Sequence, residues 1–189
     1  MKNIAIFASG NGSNCENIIR HFSGSKEIRV GLVITNNAEA KVIERAKKFG
    51  VAVEVLSRSE INSSEILLPL LERHGITFIV LAGFMLFIPS FLIEAFPHQI
   101  VNIHPSLLPK YGGKGMYGMH VHEAVKAAKE TETGITIHFV NNRYDEGKHI
   151  AQFKTSVSPT DSAEDIAQKV HALEYEHYPK VIEELLSVN

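Results

Sequence analysis

Over its first hundred residues the chain alternates short runs of branched apolar residues with amphipathic stretches, and that alternation restricts the folds open to it. Strands are expected at residues 3–8, 30–35, 77–82 and 99–103, with a shorter one at 53–55. Helical segments at 14–21, 38–49, 59–74 and 90–95 fill the gaps. Repeated strand–helix units imply a parallel sheet with helices packed on its faces. After Pro109 the rhythm changes. A helix is expected at 121–129, followed by strands at 133–140 and 150–157 around the polar bend 141–149, an antiparallel pair at one sheet edge. Residues 161–186 read as a C-terminal helix with acidic residues near its start, as the helix dipole favours, and Pro179 as a break or kink. The expected class is α/β: a Rossmann-like, doubly wound, mostly parallel sheet with an antiparallel C-terminal strand pair and a C-terminal helix.

A length of 189 residues suits one domain over residues 1–189. The formal charge of −2, the pI near 6.6 and a charged fraction of 21% argue against a surface that coats nucleic acid, so small-molecule partners are expected. With Cys15 as the only cysteine, neither a disulfide framework nor a cysteine zinc site can form within the chain, and a reducing, cytoplasmic setting follows. The N-terminal apolar run is too short for a signal peptide, and no later run reaches membrane-spanning length; a soluble protein is expected. Monomer and homodimer both stay open.

The first strand leads into Ser9-Gly10-Asn11-Gly12-Ser13-Asn14, which opens the first helix. Backbone N–H groups and the helix dipole at such a position favour an anion, phosphate above all. A dinucleotide fingerprint would need glycine where Cys15 stands, and the second strand ends in Thr35-Asn36-Asn37 without a ribose-binding acid. NAD is therefore not expected. No lysine follows at Walker spacing, which removes the NTPase reading. The plainer alternative is a tight turn capped by Ser13 or Asn14, with Cys15 as a small packing residue.

The chemistry is expected at Asn102-Ile103-His104-Pro105-Ser106-Leu107-Leu108-Pro109, where a buried strand ends. Side-chain direction repeats every second residue, so Asn102 and His104 share a face: one donates hydrogen bonds, the other also moves a proton. Pro105 and Pro109 restrain the turn. Among remote carboxylates, Asp145 in the polar bend is the strongest partner candidate; beside His104 it would favour the imidazolium. Alone, Asp145 reads as a turn former and His104 as a structural histidine. His120, His122 and His138 form no His-Glu-x-x-His motif, and no metal is expected. The run Val80–Ile88 passes through Gly83 into a loop, where an apolar exit could form a slot for a flat ring.

These motifs, Gly10-Asn11-Gly12-Ser13-Asn14, Leu81-Ala82-Gly83-Phe84-Met85, Asn102 to Pro109 and His138-Phe139-Val140, occur in one order over almost the whole chain. In that order they resemble the folate-dependent formyltransferases, and among them the phosphoribosylglycinamide formyltransferases. The resemblance implies formyl transfer from 10-formyltetrahydrofolate, as cosubstrate and without a metal, to the glycinamide amine of a purine precursor. It also implies roles. His104 would handle the proton, Asn102 steady the oxyanion and Asp145 tune His104. Gly12, Ser13, Asn14 and Cys15 would hold the substrate phosphate and Glu174 the ribose hydroxyls. The folate would rest against Met85, Leu86, Phe87, Ile88, Val140 and Asn141.

The chain departs from the family pattern in places. Asp145-Glu146-Gly147-Lys148 stands where many relatives have Asp-x-Gly-Pro, and Leu86 replaces a basic residue of some members. Residues 110–119, with four glycines, read either as a lid or as a tolerated surface insertion. Arg58 and Glu60 lie where a folate-tail contact would be sought, without a match that assigns them. Rival readings are a methionyl-tRNA formyltransferase, a formyltetrahydrofolate hydrolase and a catalytically silent phosphate sensor.

Overall fold

The computed structural model describes residues 1–187. Among these described residues there are seven strands: β1 (Lys2–Phe7), β2 (Ile28–Thr35), β3 (Ala52–Val55), β4 (Phe78–Leu81), β5 (Ile100–His104), β6 (Glu132–Phe139) and β7 (His149–Ser156). Seven helices accompany them: α1 (Ser13–Phe22), α2 (Val42–Lys48), α3 (Arg58–Ile61), α4 (Ser64–Arg73), α5 (Ser90–Ala95), α6 (Met119–Ala127) and α7 (Ala163–Ser187). The strand order is β3-β2-β1-β4-β5-β6-β7, a mostly parallel, Rossmann-like sheet ending in an antiparallel pair. No described helix is long and apolar enough to cross a membrane.

By packing, the chain divides into two compact units. The first comprises Met1–Val101 together with residues 183–187. Here β1 is flanked by β2 and β4, all parallel, so successive strands are laid down on opposite sides of β1. In open α/β sheets, ligands bind outside the carboxyl ends of the strands where the winding reverses in this way. Ile4, Ala5, Ile6, Phe7, Leu32, Val33, Ile34, Ile79 and Val80 are completely buried, which explains why these strands read as continuous apolar runs.

Two helices of the first unit differ from expectation, each for a local reason. Residues 38–41 do not join α2, because Asn37 forms a turn instead: its side chain accepts from Glu39 N–H (3.0 Å) and its carbonyl from Ala40 N–H (3.1 Å). Residues 59–74 form two helices. α3 is opened by a capping box between Ser57 and Glu60 and closed by Asn62, whose amide donates to the Arg58 carbonyl at 2.8 Å.

The second unit comprises Asn102–Ile182. β6 and β7 pair antiparallel, with Thr136 opposite Gln152 and a register shift between Ile137 and His138. α7 continues through Pro179 rather than breaking there. Gly134 leaves no room for a side chain, since a Cβ on it would lie 1.9 Å from the Phe153 carbonyl oxygen. Gly134→Ala should therefore cost about 1–3 kcal/mol, roughly 2–12 °C in Tm, by thermal unfolding. Gly24→Ala should leave Tm almost unchanged, because its added Cβ meets nothing within 4 Å.

Candidate active site

In the second unit the turn after His104 is held by a hydroxyl whose capacity is fully used. Thr136 Oγ1 donates to the Ser106 carbonyl (2.7 Å) and accepts from Leu108 N–H (3.0 Å) and Gln152 Nε2 (2.9 Å). Gln152 also donates to the Leu108 carbonyl at 2.9 Å, and Ser106 Oγ to the Lys110 carbonyl at 2.6 Å. The restraint expected of the two prolines is thus reinforced by side chains from β6 and β7.

Four polar side chains meet beside this turn. His104 Nδ1 lies 3.5 Å from Asp145 Oδ2, His138 Nε2 lies 3.7 Å from Asp145 Oδ1, and Asn102 Nδ2 lies 3.2 Å from His138 Nε2. The side chains of His104, His138 and Asp145 are 6%, 3% and 12% exposed, so little water screens the carboxylate from either ring. Asp145 Oδ2 accepts from Gly113 N–H at 2.9 Å, and His104 Nε2 lies 2.7 Å from the Tyr111 carbonyl. The bend carrying Asp145 needs Gly147: a Cβ there would fall 1.6 Å from the Phe139 carbonyl oxygen.

His138 is the member of this cluster to which the sequence attached no role. A histidine on a buried strand reads as core, but the two-residue period from Thr136 to His138 was a usable signal. Burial holds its imidazole below the ordinary histidine pKa, although the Phe139 carbonyl and the Asp145 charge favour the cation. The ring is neutral near pH 7, and its tautomer follows. Nδ1 faces the Phe139 carbonyl at 2.9 Å, an acceptor, so Nδ1 carries the hydrogen and Nε2 the lone pair. That lone pair accepts from Asn102 Nδ2, which sets the direction of the amide; the second N–H on Nδ2 can be offered to a developing oxyanion.

In the first unit the glycine segment leads from β1 into α1. Gly12 has φ 73° and a Cβ on it would lie 2.5 Å from Val42 Cβ, so conformation and space both require glycine. It has no side chain to cap α1, whose first-turn amides belong to Ser13, Asn14 and Cys15, an arrangement that favours an anion. Arg45 braces the segment by donating to the Asn11 carbonyl (2.8 Å) and side chain (3.0 Å) and pairing with Glu16. Arg45, and then Arg20, hold the Glu16 carboxyl below the usual range. The segment is also tied to the exit of β4: Ser9 N–H donates to the Gly83 carbonyl at 3.0 Å, and Met85 N–H to Ser9 Oγ at 2.8 Å.

The profile of the family described as formyl transferase matches residues 2–182. This chain belongs to the formyl transferase family. A chloroplastic phosphoribosylglycinamide formyltransferase of Arabidopsis thaliana is 40% identical over 96% of this chain and 64% of its own length. This formyl transferase chain thus spans less than two thirds of that relative. The phosphoribosylglycinamide formyltransferase of Bacillus subtilis is 38% identical over 100% of this chain and 97% of its own. A crystal structure of the phosphoribosylglycinamide formyltransferase from Bacillus halodurans superposes with a TM-score of 0.88 at 38% identity, covering 98% of this chain and 96% of that one.

The other expected site residues of this formyl transferase divide by exposure. Met85 and Phe87 are 50% and 38% exposed, whereas Ile88 is buried, so the exit of β4 presents part of its apolar run to solvent. Leu86 and Val140 are half-buried, and Asn141 is exposed with its side chain accepting from Arg143 N–H at 2.9 Å. The Cys15 side chain is buried and its thiol pushed up to about 12, chiefly by desolvation, as suits a small packing residue. Glu174 is buried on α7 and receives His171 Nδ1 at 2.9 Å, which raises the His171 pKa. Glu60 is engaged by Ser57 in the α3 cap. Among the described residues, no group of three or more His, Cys, Asp or Glu is placed to hold a metal ion.

Proposed function

We propose that the protein transfers the formyl group of 10-formyltetrahydrofolate to the amine of phosphoribosylglycinamide, giving formylglycinamide ribonucleotide and tetrahydrofolate in de novo purine biosynthesis. The observation that carries this reading is the convergence of Asn102, His104 and Asp145, from positions 102 to 145, on one poorly solvated cluster. Family membership and the names of the relatives support it.

In that reaction the amine nitrogen forms a bond to the formyl carbon and the carbonyl pair moves to oxygen. The pair's return breaks the bond to the folate nitrogen, which gains the proton the amine loses. Asn102 donates to the oxygen while it carries charge, held in place by His138. His104 carries the proton between the two nitrogens, with the Asp145 carboxylate facing its Nδ1. Gly12, Ser13, Asn14 and the Cys15 backbone hold phosphate, Glu174 the ribose, and Met85, Leu86, Phe87, Ile88, Val140 and Asn141 the folate. The reading treats residues 1–189 as one catalytic domain of a cytoplasmic monomer or homodimer.

Purified protein supplied with 10-formyltetrahydrofolate should form tetrahydrofolate only when glycinamide ribonucleotide is present. Folate turnover that ignores the acceptor would indicate a hydrolase, formylation of methionyl-tRNA the sister transferase, and ligand binding without turnover a phosphate sensor.

A further inference from the structure

We infer that Tyr111 is a positioning residue for this site: its backbone carbonyl holds the Nε2–H of His104, making Nδ1 the nitrogen through which His104 takes up and releases a proton. The inference rests on the reading of His104 as the proton-handling group.

A carbonyl oxygen can only accept, so at 2.7 Å from Tyr111 the Nε2 atom carries hydrogen whether the ring is neutral or cationic. Protonation and deprotonation are then confined to Nδ1. That atom faces Asp145 Oδ2 at 3.5 Å, beyond a good hydrogen bond but close enough for the carboxylate charge to act on it. His138 lies against the same carboxylate, and His122 interacts with His104 electrostatically, so these three groups set the charge around the ring.

No regular element places the Tyr111 carbonyl, since residues 105–118 belong to no helix or strand. Tyr111 has φ 54°, a left-handed conformation that a non-glycine residue keeps only when its surroundings enforce it. The enforcing contacts are specific. The Tyr111 phenol donates to Glu130 Oε1 at 2.9 Å, and Lys110 Nζ reaches the same oxygen at 3.0 Å. On either side, Ser106 Oγ holds the Lys110 carbonyl and Gly113 N–H holds Asp145 Oδ2. The segment therefore touches both ends of the His104–Asp145 pair through its backbone, while the Tyr111 phenol anchors it on Glu130. Its start is a brace rather than an idle insertion.

The test is long-range proton–nitrogen NMR on the full chain labelled with ¹⁵N-histidine, without substrates, alongside pH–rate profiles. In the wild type, neutral His104 should carry its hydrogen on Nε2 and titrate at Nδ1. Tyr111→Phe and Glu130→Ala should each populate the Nδ1–H tautomer and lower kcat about tenfold, with KM unchanged and the pH profile displaced. Glu130→Gln should stay near wild type, because its amide oxygen still accepts from the phenol. Neutral wild-type His104 with hydrogen on Nδ1 would overturn the inference, as would Tyr111→Phe keeping the wild-type nitrogen pattern and kcat, or Glu130→Gln losing as much as Glu130→Ala. The NMR needs no turnover, so failure of the proposed formyl transfer and failure of the brace are read separately.

Discussion

His104→Ala should lower kcat by about 10²- to 10⁴-fold, the range expected when a positioned acid–base group is removed. Its imidazole is nearly enclosed, with one nitrogen on the Tyr111 carbonyl and the other facing Asp145. Asn102→Ala should cost about 10²- to 10³-fold, because its amide is the donor proposed for the oxyanion. The two losses should not multiply in the double variant, since the groups act on one transition state. Steady-state kinetics with saturating phosphoribosylglycinamide and 10-formyltetrahydrofolate make the comparison. A His104→Ala enzyme within threefold of wild type would remove the residue from the mechanism.

Asp145→Asn should lower kcat by about 10²- to 10⁴-fold with little change in substrate affinity, and this substitution probes charge rather than shape. The carboxamide retains an oxygen to accept from Gly113 N–H, so the loop contact can persist. What disappears is a negative charge 3.5 Å from His104 and 3.7 Å from His138. Without it the ring loses the charge that its Nδ1 faces. Kinetics across pH, with affinity measured separately by calorimetry, separate the two effects. A near-normal rate with an unmoved profile would show that Asp145 serves only the turn.

Particular residues show how far the sequence was legible. The parallel strands were found because burial on both faces leaves them as unbroken apolar runs, and Ile4 to Phe7 or Ile79 and Val80 show that burial directly. Helix ends were less legible. The loss of residues 38–41 from α2 turns on one Asn37 side chain, and the division at Asn62 on one amide, both local competitors of the helix that an apolar period does not register. Asp145 could be singled out because it sits in the polar bend between two strands. His138 was passed over because its strand is otherwise core. Tyr111 carried no signal at all, since it touches His104 through a carbonyl that every residue possesses.

The amino-acid order alone determined what local forces can encode: the alternation that builds a doubly wound sheet, a glycine turn feeding a helix amide end, and an amide and an imidazole two residues apart where a strand stops. Side-chain period and backbone freedom are short-range properties, so they survive in the linear pattern. The tertiary structure alone decided which groups face one another. It brought Asp145 to His104 across forty residues of chain, buried His138 until it stayed neutral, and placed a carbonyl and a carboxylate on the two nitrogens of one ring. Tautomer and charge depend on distances of a few ångströms and on the exclusion of water, and those are fixed only when separate segments pack together.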